Sequence, residues 1–90
     1  MDWWDYRDLT IPLGLKERDR DLDSRYHQVV LDHLQRAGHE GWQADEPIDL
    51  RSALTAGRIK QHKTRFGWRA WGQTTYESVT IRLKRLAQGD

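Results

Sequence analysis

One segment of the chain, from Lys60 to Gly72, combines cationic and aromatic side chains between flexible glycines. Cations engage phosphates and planar rings stack on bases, which is the chemistry of single-stranded nucleic-acid binding. Trp and Arg are also the side chains most enriched at protein–protein hot spots. The segment is therefore predicted to bind a partner, and the predicted contact residues are Lys60, Lys63, Arg65, Phe66, Trp68, Arg69 and Trp71. The competing interpretation is that the three rings fill a small core and the cations only solvate a loop.

The four histidines do not have the spacing of a metal site. His27, His33 and His39 follow one another at intervals of six residues, which places successive members on opposing faces of a helix. A helical zinc pair needs an interval of four, and structural zinc sites normally use cysteine, of which this chain has none. We expect no metal and no cofactor, and we interpret His33 as a hydrogen-bonded or edge histidine of the helix.

Catalytic groups are equally hard to assemble from this sequence. Acid–base catalysis needs carboxylates that converge in a pocket, but Asp45 and Glu46 are consecutive and point to opposite faces of a strand. The serines lack a nucleophile-elbow context, and the glycines at 38 and 41 lack the lysine that completes a phosphate loop. The prediction is a protein that is not an enzyme.

The net charge of +1 conceals an uneven distribution. Residues 1–45 hold 6 Lys and Arg against 10 Asp and Glu, whereas residues 46–90 hold 9 against 4. Between Arg51 and Tyr76 there are six cations and no acid. Such polarity favours an anionic partner at one end, or head-to-tail association between copies of the chain.

Length and composition limit the class of protein. Ninety residues with 37% hydrophobic and 32% charged side chains are typical of one globular domain, 1–90, with a small core. The apolar stretches are too short to span a membrane, and Met1–Asp5 is acidic where a signal peptide would be basic and then apolar. We therefore expect a cytoplasmic protein.

The first half of the chain predicts a strand followed by a helix. Residues 3–11 are aromatic-rich and alternating, and Pro12 is expected to end this strand. Trp4 and Tyr6 share one face, whereas Leu9 and Ile11 lie on the other, so we expect either a bulge near Asp8 or a strand covered on both sides. Residues 13–23 are predicted to be a charged loop insertion.

A helix is predicted from about Arg25 to Ala37, capped by Asp23 or Ser24 and ended by Gly38. Its apolar stripe consists of Tyr26, Val29, Val30, His33, Leu34 and Ala37. Trp42 opens a second strand and anchors it to this helix.

The second half predicts a short helix near 50–56, capped by Asp49 and ended by Gly57. Residues 58–66 have few apolar positions and fit either an exposed strand or an extension of that helix. Residues 75–85 form the clearest strand, since Val79, Ile81 and Leu83 alternate with polar residues. The fold class is α+β: a small antiparallel sheet of three to four strands, with one main helix packed across one face.

The run Leu34–Gln43 contains a helix-final leucine, then glycine, two residues, glycine and tryptophan. This pattern resembles the small bacterial domains of the family called domain of unknown function 4177. Those domains begin with an aromatic strand, comparable to Trp4–Arg7, and end with a strand that finishes in basic residues, comparable to Val79–Arg85. The resemblance implies a β-α-β-β core over roughly residues 3–11, 24–47 and 75–86, and it implies no activity.

Three functional hypotheses follow from these observations. The first is a small non-catalytic interaction or accessory protein that uses a basic, Trp-rich surface to bind another protein or a second copy of itself. The alternative is a nucleic-acid-binding protein with a basic–aromatic hairpin or a winged-helix-like arrangement, in which phosphates are contacted by Arg51, Arg58, Lys60, Lys63 and Arg65. An aromatic site for a small planar or cationic ligand is a third hypothesis.

Overall fold

The computed structural model of the chain describes residues 3–65 and 72–87. The strands are β1 (Trp4–Lys16), β2 (Gln43–Ala44), β3 (Ile59–Arg65) and β4 (Gly72–Leu86), and the helices are α1 (Leu22–Gly38) and α2 (Leu50–Thr55). All strand pairs are antiparallel and together form one four-stranded sheet. The predicted α+β class, with one main helix and one short helix, is confirmed.

The long strand β4 is the centre of this sheet. β1 pairs with one side of β4 along most of its length, in a register that runs from Trp4 opposite Leu86 to Lys16 opposite Thr75. The other side of β4 is shared by β2, opposite residues 83–84, and β3, opposite residues 72–79. Only one strand of the sheet therefore contacts all the others.

The core lies between α1 and one face of the sheet. Its most buried side chains are Ile11 of β1, Tyr26 and Val30 of α1, and Val79 and Leu83 of β4. The predicted alternation of β4 and the predicted apolar stripe of α1 are confirmed, because both sets of side chains meet in this one layer. The domain has a single helical layer, so the opposite face of the sheet carries no helix within the described residues.

Strand β1 continues past Pro12, contrary to the prediction. The amide of Ala87 donates to the Trp3 carbonyl at 2.7 Å, so odd-numbered residues of β1 turn their backbone groups toward β4. Pro12 is even-numbered, so its ring nitrogen points away from β4. Its missing N–H therefore removes no hydrogen bond between β1 and β4. Nor is there a bulge at Asp8: the register is regular from Trp4 to Pro12, and the irregularity lies between Pro12 and Leu15, where Gly14 has φ +62°.

The predicted loop over residues 13–23 is also shorter than expected. Residues 13–16 extend β1, and α1 begins at Leu22, three residues before the predicted start. The N-cap is Asp21, in the left-handed conformation with φ 57° and with no side-chain hydrogen bond to the helix. The intervening turn is closed instead by Asp19, whose carboxylate accepts the Lys16 amide at 2.9 Å.

A break in the sheet separates β2 from β3. At the break, the Arg82 amide donates to the Glu46 carboxylate at 2.8 Å, and the Arg82 carbonyl accepts the Asp45 amide at 2.9 Å. The other Glu46 oxygen lies 3.1 Å from the Arg58 guanidinium. Asp45 and Glu46, considered above as catalytic candidates, therefore satisfy the backbone of β4 where no strand covers it.

Helix α2 follows its predicted signals, and the ambiguity after it is resolved. Asp49 caps the helix by accepting the Ser52 amide at 3.0 Å, and hydrogen bonds from the Ser52 side chain and amide lower the pKa of the Asp49 carboxyl. The helix is followed by Gly57, whose φ of 69° is in the left-handed region. Residues 59–65 are a strand, so the helical alternative for 58–66 is wrong.

The buried phenol of Tyr26 gives the fold a measurable alkaline sensitivity. Its side chain is 1% exposed, and its hydroxyl has no hydrogen-bond partner among the described residues. Burial, reinforced by the nearby negative charges of Asp49 and Glu46, raises the pKa of Tyr26 to about 12. The unfolded chain therefore loses this proton first, and stability falls as pH rises from 10 to 12.

We expect this single group to remove about 2 kcal/mol of unfolding free energy between pH 10 and pH 12. The measurement is urea denaturation at pH 8, 10 and 11.5 for the wild type and for Tyr26→Phe. At pH 8 the two proteins should differ little, because the lost hydroxyl makes no hydrogen bond. The variant should lack the additional alkaline loss, and parallel losses in both proteins would contradict the assignment.

Candidate interaction surface

The predicted partner-binding residues are only partly described by the structure. Lys60, Lys63 and Arg65 lie on β3 and are exposed, whereas Phe66, Trp68, Arg69 and Trp71 fall outside the described residues. Lys60 lies opposite Ser78 on the face away from α1 and contacts the Glu77 carboxylate at 3.5 Å. Because side chains alternate along a strand, Lys63 and Arg65 point to the other face. The structure therefore does not bring these three cations together on one surface.

The exposed rings of the described residues lie at a different place, on the sheet face opposite α1. We call this surface the outer face. It is formed at one end of the sheet by alternate residues of β1 and β4, namely Trp4, Tyr6, Asp8, Thr10, Thr80, Arg82, Lys84 and Leu86. Trp4, Tyr6 and Leu86 are 40%, 50% and 51% exposed, and the neighbouring Trp3 is 62% exposed. Large apolar side chains grouped in this way are typical of contact surfaces.

Two cations hold the rings of the outer face in place. The Lys84 ammonium lies 4.8 Å from the centre of the Trp4 ring, and the Arg82 guanidinium lies 4.4 Å from the centre of the Tyr6 ring. Both contacts run diagonally between β1 and β4, since Lys84 is directly opposite Tyr6. Each cation–π contact is worth about 0.5–1 kcal/mol at an exposed site. These contacts restrict the orientations that the two rings adopt.

The cations of the outer face and its border already have carboxylate partners. Asp45 lies 3.2 Å from the Lys84 ammonium and 3.8 Å from the Arg82 guanidinium. Arg58 and Lys60 contact the carboxylates of Glu46 and Glu77, as described above. Counting Asp8 as well, the outer face and its border together hold four cations and four acids, so their charges balance. Its chemistry is aromatic and locally paired rather than basic.

A second aromatic–cation cluster lies beside Trp42, on the helix side of the sheet. The guanidinium of Arg85 is 4.5 Å from the Trp42 ring centre and that of Arg7 is 5.1 Å from it. Trp42 is 8% exposed and belongs to the core, so its predicted anchoring of the second strand to the helix is consistent with its position. Asp5, which contacts Arg85 at 3.8 Å, borders an open cavity of about 500 Å³ with Glu40 and Gly41.

The described residues form no cluster of three or more side chains suited to a metal ion. His33 uses Nδ1 to contact the Val29 carbonyl at 2.9 Å from a half-buried position, which confirms its interpretation as a hydrogen-bonded histidine of the helix. In the described part of the chain no helix combines the length and the apolarity that crossing a membrane requires.

Sequence reasoning missed the outer face, although a signal was present. The rings of Trp4 and Tyr6 lie in opposite phase to Leu9 and Ile11 along one regular strand. The predicted bulge at Asp8 is wrong, because the register is regular there, and the predicted cover on both sides is not found among residues 3–65 and 72–87. A strand whose inner face is apolar and whose outer face carries aromatic residues also fits a sheet with one uncovered, contact-forming face.

Comparison with known proteins gives no relative for this chain: no protein-family model, no curated protein and no solved structure matches it. The resemblance of Leu34–Gln43 to domain of unknown function 4177 therefore stays a prediction.

Proposed function

We propose that the chain is a non-catalytic, cytoplasmic interaction module whose outer face binds another protein. The observation that carries the proposal is the pair of exposed rings, Trp4 and Tyr6, which are held by Lys84 and Arg82 on a sheet face without a helix. Ordered aromatic side chains lose little conformational entropy on binding, which favours them as anchors of a protein interface.

The charge balance of the outer face favours a protein over a nucleic acid as its partner. Binding to a polyanion gains affinity when unpaired cations neutralise phosphates. Here Arg82 and Lys84 share the carboxylate of Asp45, and Asp8 adds a further negative charge. A protein surface with an apolar centre and charges of both signs at its border complements the outer face. The ion pairs of the outer face can then persist, or can be replaced by ion pairs with the partner.

The alternative function, nucleic-acid binding, would use a different part of the molecule. Lys63 and Arg65 are exposed on β3, share one face and lie within 4 Å of no carboxylate among the described residues. The winged-helix-like form of this alternative is not present in residues 3–65 and 72–87, which contain one long helix, and α2 has only six residues. Nucleic-acid binding would therefore use a basic hairpin that contains β3.

The test is site-specific photo-crosslinking in cells that make the protein. A benzophenone amino acid replaces Tyr6 on the outer face, or Gln28 on the exposed side of α1 as the matched control, or Lys63 on β3. We expect a protein adduct from position 6 and little from position 28. A nucleic-acid adduct concentrated at position 63, with none from position 6, would overturn the proposal in favour of the alternative.

A further inference from the structure

We propose that β1 pairs edge to edge with β1 of a second copy of the chain, around a twofold axis at Tyr6. This pairing uses backbone groups at the free edge of the sheet, so it stands or falls separately from whatever covers the outer face. Three features support it: an unpaired edge, a charge pattern that selects one register, and side chains that are free to form the contacts.

The first feature is the free edge of β1. Within the described residues β1 pairs with β4 alone. Odd-numbered residues of β1 turn their amides and carbonyls toward β4, so Trp4, Tyr6, Asp8 and Thr10 turn theirs outward. An exposed edge of this length is a template for another strand unless proline or unmatched charge blocks it. Pro12 blocks only the far end, which leaves residues 4–8 available.

The second feature is the charge pattern of the edge. An antiparallel pair centred on Tyr6 places Asp5 opposite Arg7 of the second copy, and Arg7 opposite Asp5 of the second copy. Tyr6 then faces its own counterpart, and Trp4 faces Asp8. Both ion pairs lie on the helix side of the sheet, and opposite charges directly across two strands stabilise the pairing.

Neighbouring registers are less favourable for identifiable reasons. An axis at Asp5, Arg7 or Asp8 would place that charged residue directly opposite its own counterpart, which is destabilising. An axis at Leu9 would bring Pro12 opposite Tyr6 at a position that needs a backbone donor. Of the five registers compared, the one centred on Tyr6 has neither like charges directly opposite each other nor a proline where a backbone donor is needed.

The third feature is that the charged side chains are accessible. Asp5 is exposed and its only ion pair among the described residues is a 3.8 Å contact with Arg85. Arg7 is exposed, lies over Trp42 and has no carboxylate within 4 Å in the part of the chain that the structure describes. A carboxylate from a second copy would therefore meet a guanidinium that has no ionic partner of its own.

The pairing has a consequence for the outer face. A twofold axis perpendicular to the sheet keeps both copies of α1 on the same side, so the two four-stranded sheets become one sheet of eight strands. The outer faces are then continuous, with Trp4 and Tyr6 of both copies near the centre. The dimer would double the aromatic area offered to a partner.

The test uses purified chain in sedimentation velocity over a dilution series. We expect a dimer that dissociates on dilution, and we expect Asp5→Arg or Arg7→Asp alone to weaken it by about tenfold or more, because each places like charges face to face. Mixing the two single variants restores complementary charges at all four positions, so the mixture should dimerise. This rescue also shows that both variants are folded.

Single-cysteine variants report the register, since the chain has no cysteine. Across the proposed axis the two Cα atoms of residue 6 are about 5.5 Å apart, whereas those of residue 8 are about 13 Å apart. Tyr6→Cys should therefore form an oxidised dimer and Asp8→Cys should not. A wild-type chain that remains monomeric, no rescue on mixing, or equal oxidation of the two cysteine variants would each overturn the proposal.

Discussion

Replacing Trp42 by alanine is expected to lower the free energy of unfolding by about 3–5 kcal/mol, the range for deleting a large buried aromatic side chain. Trp42 is 8% exposed and packs in the core at the end of α1. Its ring also supports the guanidiniums of Arg7 and Arg85, so the substitution removes two cation–π contacts together with the apolar burial. For a domain of this size, such a loss leaves little stability.

The matched control is Trp42→Phe, which keeps an aromatic ring beside both cations and removes less volume. We expect it to lose less than half as much stability as the alanine variant. Urea denaturation followed by circular dichroism measures both. If Trp42→Ala unfolded at nearly the wild-type urea concentration, Trp42 would not be the anchor that its burial indicates.

Replacing both Trp4 and Tyr6 by threonine is expected to weaken partner binding strongly while changing the stability of the fold only slightly. The two rings are exposed, and threonine is a β-branched residue that strands favour, so the free energy of unfolding should change by no more than about 1–2 kcal/mol. Truncating one aromatic anchor at the centre of an interface typically costs at least about 2 kcal/mol, which is about 30-fold in affinity. Removing both rings should therefore weaken binding to the crosslinked protein partner by at least about 30-fold.

Two substitutions on the exposed side of α1, His27→Thr and Gln28→Thr, provide the comparison, because these residues are as accessible as the rings but lie on the other side of the domain. They should leave affinity unchanged. Equal affinity of the Trp4/Tyr6 variant and the wild type, measured on folded protein, would mean that the outer face is not the contact surface.

The elements of this fold that could be predicted are those with local signals. β4 alternates apolar and polar residues through Val79, Ile81 and Leu83, and α2 begins directly after a capping aspartate. The length of β1 had no such signal. Whether Pro12 ends a strand depends on which side of the strand is free, and that is settled by the sheet order rather than by the residues around the proline.

The candidate site was predicted less well, for two physical reasons. Lys60 and Lys63 are three residues apart, so on a strand their side chains point to opposite faces. Because the sequence fits both a strand and a helix over residues 58–66, it does not by itself separate these two cations. The exposure of the Trp4 and Tyr6 rings follows from which face of the sheet α1 covers, and the sequence does not specify that face. A sequence gives the phase of two apolar sets but not which of them meets the helix.

Coverage of the outer face by another protein is tested most directly by the ratio of crosslinked protein adduct from a probe at position 6 to that from a probe at position 28, in cells. We predict a ratio of at least about ten, with adducts that include a protein other than a second copy of the chain. A ratio near one, or adducts at position 6 that contain two copies of this chain and nothing else, would contradict the claim.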